Sequence, residues 1–138
     1  MTFITVNYLA VLIAAIVSMV IGALWYSQAL FGKQWMKLQN FKPKDIAAMK
    51  QKGMCKTYAL SFLATLVLTY VLATIIGYVK ASTATQGASI GFLVWLGFVA
   101  TISLNEVLWA KGSKDLYFLN NAHHLVSLVV SGAILAVL

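Results

Sequence analysis

Arginine is absent from this chain, acids number three, and there is one proline and one cysteine in 138 residues. Each scarcity excludes something. With only 9% of residues charged, the chain does not fit a soluble domain, in which about a quarter are charged. A lone Cys55 rules out an internal disulfide. The only two histidines, His123 and His124, are adjacent, and neighbours on a helix point roughly 100° apart, so they do not suit one metal ion. Neither a metal nor an organic cofactor is expected. Glycine-rich phosphate loops and a Ser/His/Asp set in recognisable context are also missing, so no residue is assigned a catalytic role. The remaining enzymatic reading is a membrane enzyme using His and Glu as acid and base.

What the chain has in abundance is apolar sequence: 62% of residues. It falls into four runs, about 6–30, 57–79, 86–109 and 116–138, each long enough to cross a hydrocarbon core that needs about 20 residues. The first has no charged start and is too long for a cleaved secretory signal, so it reads as a retained helix. An all-α integral membrane protein follows, with four transmembrane helices in one compact bundle as a single domain.

All ten basic residues are lysines, against Asp45, Glu106 and Asp115, for a net charge of +7. They lie beside the apolar runs and are not interleaved with base-stacking aromatics, which argues against nucleic acid as a partner. Four spans put the 31–56 and 110–115 loops on one side, and that side collects nine lysines against Lys80 on the other. The positive-inside rule places those loops in the cytoplasm and both termini outside, across a bacterial inner membrane. At the first crossing, Trp25, Tyr26 and Trp35 mark the interface, with Lys33 and Lys37 beyond them. Phe31, Trp35 and Leu38 recur at helical spacing, which predicts a short helix lying in the interface. Pro43 and Gly53 bracket a second short helix. This loop is expected to touch anionic lipid headgroups or a partner protein.

Small residues recur every four positions. Ala10, Ala14, Ser18 and Gly22 form one such face; Ser61, Thr65, Thr69, Ala73 and Gly77 form another; Gly87 and Gly91 make a third. Such faces let membrane helices approach closely. A four-helix bundle needs only some of them, so a homo-oligomer is expected.

Ionisable residues inside a span are costly and mark candidate sites. Asn105 and Glu106 lie about one turn from the end of the third run, and His123 and His124 about two turns into the fourth. A short connection makes these helices antiparallel neighbours, so Glu106 and the histidines are expected to meet. Asn120, one of the two histidines, Ser127 and Ser131 share a polar stripe. A His–Glu pair there would relay or sense protons. The leading expectation is therefore a small binding or transport protein for a solute, ion or proton. The alternative is a non-catalytic scaffold or accessory subunit working through its lysines.

Five blocks carry a resemblance: Asn7-Tyr-Leu-Ala-Val11, Gly22-Ala-Leu-Trp-Tyr-Ser27, Phe31-Gly-Lys-x-Trp35, Trp95-Leu-Gly-Phe-Val99 and His123-His-Leu125 with Gly132-Ala-Ile-Leu135. Together they resemble the domain-of-unknown-function 1761 family of small, mainly bacterial membrane proteins. The chain departs from its relatives at Gln28, where many have Pro, and in the basic Lys42-Pro-Lys-Asp45 segment. The resemblance implies a four-span bundle and carries no established activity.

Overall fold

Apolar helices with unbroken hydrogen-bonded backbones are what a bilayer demands. The structure, a computed structural model, describes residues 5–27, 29–39, 44–45, 55–110 and 113–138. Four helices are long and apolar enough to cross a membrane: α1 Tyr8–Trp25, α3 Cys55–Val79, α4 Ala84–Ala110 and α5 Lys114–Val137. The short helix α2, Gly32–Leu38, follows α1. Among the described residues there is no strand. The expected second helix between Pro43 and Gly53 lies outside the described residues apart from Lys44 and Asp45, which are helical.

Local chemistry sets the ends. The Asn7 side chain accepts from the Leu9 and Ala10 amides and caps α1. The helix stops at Trp25, earlier than the apolar run does. Ser27 Oγ bonds back to the Leu24 carbonyl, and the Ser27 carbonyl receives the Leu30 and Gly32 amides, so the chain doubles back. Position 32 sits against this turn: a Cβ there would stand 2.5 Å from the Tyr26 carbonyl oxygen. The turn brings Phe31 to 4.7 Å from Trp25 and Trp35 to 5.6 Å from Tyr26, ring centre to ring centre, so aromatic contacts seat α2 on the end of α1. At the other end of the bundle, Lys80 adopts φ 55° and closes α3 with the Lys80→Gly77 and Ala81→Ile76 bonds of a Schellman motif. Thr83 and Gln86 then open α4 as a capping box.

Helix α5 is central, packing against all the others. Its tightest partner is the first half of α4, because both carry glycine at the crossing. A Cβ on Gly87 would meet the Gly132 carbonyl oxygen at 2.1 Å, and one on Gly91 the Leu128 oxygen at 2.2 Å. Helix α1 meets α5 and α3 through Ala10 and Ala14, with Thr69 and Leu72 of α3 buried beside them. Gly87 and Gly91, one of the three small-residue faces available to the bundle or to an oligomer, are thus taken up within the chain. So are Ala14 and Ser18, both buried. Outward faces such as Leu63, Val67, Leu93 and Phe98 are apolar and exposed, the surface a bilayer covers.

In mid-course α4 changes pitch: Trp95–Ala100 is a π-helical segment. Trp95 Nε1 donates to the Asn121 carbonyl at 2.9 Å, and Tyr117 Oη donates to the Ala100 carbonyl at 3.0 Å, so both ends of the segment are tied to α5. Beyond it, Thr101–Ala110 buries no residue. Asn7 Nδ2 donates to the Leu138 carbonyl, placing the start of α1 and the end of α5 at one end of the bundle. Lys33 and Lys37 of α2 and Asp115 of α5 lie at the opposite end, where α2 packs on α5.

Candidate functional site: a polar seam between the first and last helices

Three polar side chains of α5, Asn120, His123 and Ser131, meet the α1 side of the bundle. With Ser127 they fall at three- and four-residue spacing, and Tyr26, Gly22 and Ser18 lie opposite Asn120, His123 and Ser131 in turn. Tyr26 Oη donates to Asn120 Oδ1 at 2.7 Å. Trp25 Nε1 donates to the Leu119 carbonyl at 3.2 Å. Gly22 leaves room for an imidazole: a Cβ there would stand 3.3 Å from His123 Nε2. One turn further along α1 and about two along α5, Ser18 and Ser131 share a buried hydrogen bond of 2.8 Å. From Asn120 to Ser131 the seam covers about 16 Å of helix, half of a hydrocarbon core about 30 Å thick.

The two ends of the seam are hydrogen-bonded and the middle is not. His123 Nδ1, His123 Nε2 and Ser127 Oγ are each buried without a hydrogen-bond partner. His123 is ringed by aromatic faces: Tyr26 lies edge-on at 5.2 Å and Trp25 tilted at 6.2 Å. These contribute packing but no hydrogen bond. A neutral imidazole has one donor and one acceptor, and a hydroxyl has both. Three such atoms at adjacent helical turns are therefore a demand for something small and polar. The neighbouring Asn121 repeats the theme in part: its Nδ2 donates to the Tyr117 carbonyl at 3.0 Å, while its buried Oδ1 has no partner.

Not every expected member joins the seam. His124, turned away from His123 on the helix, is exposed, its ring centre 5.2 Å from that of His123. Asn105 and Glu106 are exposed on the second half of α4. Among the described residues no hydrogen bond or ion pair joins Glu106 to either histidine. The expected His–Glu contact is thus not made. In its place the histidine has Gly22, Trp25 and Tyr26. These were expected as a packing position and interfacial anchors, and they prove to be the other wall of the site. Their signal in the sequence is that a glycine and two aromatics end α1 just where an antiparallel α5 brings its polar stripe. Trp95 and Tyr117 had no such signal, since their contacts depend on the π-helical segment. Among the described residues no three His, Cys, Asp or Glu side chains converge as a metal would require.

Helix length, apolar surface and a polar seam sealed between helices define a four-span integral membrane protein. The chain belongs to the DUF1761 family, described as a protein of unknown function, whose model matches residues 9–136. No curated protein and no solved structure matches it.

Proposed function

We propose that this is a small intramembrane binding or transport protein, and that its cargo is a proton carried on water held beside His123. The observation that carries the reading is the trio of buried, unpartnered atoms His123 Nδ1, His123 Nε2 and Ser127 Oγ. A buried water makes two to four hydrogen bonds to polar groups that otherwise lack them, and these atoms supply that number. Gly22 and the aromatic rings leave no room for a bulky solute. An imidazole can take a proton at one ring nitrogen and release one from the other, so it suits a proton that must both arrive and leave. In this reading protons enter from the lysine-rich side, pass along the seam, and are handed on towards the opposite face by the Ser18–Ser131 hydroxyl pair. By the lysine count that side is the cytoplasm of a bacterial inner membrane.

The test is proton flux into proteoliposomes holding a pH-sensitive dye, under an imposed potential. Wild type should acidify or alkalinise the lumen faster than empty vesicles, and His123→Ala and Ser127→Ala should each reduce the rate. Equal rates for wild type and His123→Ala would refute the reading.

A second observation supports assembly. Asn105 and Glu106 sit exposed on the half of α4 that buries nothing, and a carboxylate on a spanning helix is costly unless something polar covers it. We propose that this face meets a second copy, giving a homo-oligomer. If the seam proves inactive, the same face and the lysines of α2 would serve an accessory subunit.

A further inference from the structure

At the lysine-rich end, α2 and the first turns of α5 enclose a cleft of about 650 Å3. Its walls are mostly apolar, Trp25, Phe31 and Leu38 on one side and Phe118 and Leu119 on the other, with Gln34 of α2 adding a neutral polar group. Two charges of opposite sign stand at it, Lys37 from α2 and Asp115 from α5. Among the described residues the two make no ion pair with each other, and neither side chain has another partner. The cleft lies where Trp25, Tyr26 and Trp35 mark the membrane interface, the level of lipid headgroups.

We infer that this cleft binds a zwitterionic aminophospholipid, a lipid whose headgroup joins a phosphate to a primary ammonium. The charge pattern selects it. Lys37 takes the phosphate by a charge-assisted hydrogen bond, and Asp115 takes the ammonium. A purely anionic headgroup satisfies Lys37 but sets its negative charge against Asp115. A quaternary ammonium matches Asp115 in sign yet donates no hydrogen bond to it. The apolar walls take the start of an acyl chain, which a soluble headgroup lacks, and the volume lies within the range of about 300–1,000 Å3 usual for small-molecule sites. The inference stands apart from the proton reading, because neither His123 nor Ser127 lines the cleft.

Thermal unfolding in detergent with added lipid tests it. Phosphatidylethanolamine should stabilise wild type at a concentration on the order of tenfold lower than phosphatidylglycerol or phosphatidylcholine, as expected for one charge-assisted contact. Asp115→Asn should remove the preference over phosphatidylglycerol, and Asp115→Glu should restore it. Lys37→Gln should weaken stabilisation by all three lipids. Equal effects of the three lipids on wild type, a preference for phosphatidylglycerol, or a preference unchanged in Asp115→Asn would overturn the inference. So would equal stabilisation by soluble glycerophosphoethanolamine, which carries the headgroup without the chains.

Discussion

Gly22 of α1 stands directly opposite His123 of α5, so near that a Cβ on it would lie 3.3 Å from the imidazole Nε2. That clearance is what allows a ring to sit between two closely packed helices. A methyl group there would crowd the ring, while alanine for glycine favours the helix itself by up to about 1 kcal/mol. Gly22→Ala is therefore expected to keep the protein folded, with a melting temperature near that of wild type, while displacing the His123 ring and lowering proton flux. A full wild-type flux in Gly22→Ala would show that the clearance has no part in function.

The α4–α5 crossing allows no such tolerance. With backbone atoms in contact at Gly87 and Gly132, any side chain must push the helices apart, and such overpacking should cost about 1–3 kcal/mol or more. Gly87→Leu and Gly132→Ala should unfold at clearly lower temperature in detergent. Gly97→Ala is the control, since a Cβ there meets nothing within 4 Å. Similar melting temperatures for Gly87→Leu and Gly97→Ala would contradict the packing described.

Ser18 and Ser131 bond in a buried setting, where helix–helix hydrogen bonds in membranes average about 0.6 kcal/mol. A double-mutant cycle with Ser18→Ala and Ser131→Ala should return a coupling of that order. The double variant should be close to wild type, because removing both hydroxyls strands neither. A coupling near zero would mean the two side chains are not partners in lipid.

Because no contact joins Glu106 to the histidines, Glu106→Gln should leave both histidine titrations unchanged by NMR. A fall in the pKa of either would place the carboxylate beside it. The same variant should weaken self-association in nanodiscs if the exposed α4 face is the assembly surface.

Orientation is tested at Cys55, exposed at the start of α3. A membrane-impermeant thiol reagent should label it in inverted membrane vesicles and leave it untouched in intact cells. Labelling in intact cells would reverse the proposed orientation.

Much of this architecture is legible in the sequence, and for a physical reason. A bilayer admits few backbone solutions, so length and apolarity nearly dictate the spans, and the small-residue spacing of α1 marks its inward face. The stripe Asn120–Ser131 is legible too, since polar side chains in a span turn towards protein. Which wall the stripe meets is not legible. The short connection to α4 points to Glu106, but α4 changes pitch at Trp95–Ala100, and its second half buries nothing. The choice between His123 and His124 likewise needs the register of α1 against α5, which Gly22 and Tyr26 set through contacts more than ninety residues apart in the chain.

Proton passage through the seam requires that water reach His123. Water-edited solid-state NMR on histidine-labelled protein in lipid bilayers measures this directly, by the rate at which water magnetisation reaches each imidazole nitrogen. Rapid transfer to His123 is expected, slowed in Ser127→Ala and Gly22→Ala. A His123 ring that receives no water magnetisation while exposed His124 does would contradict it.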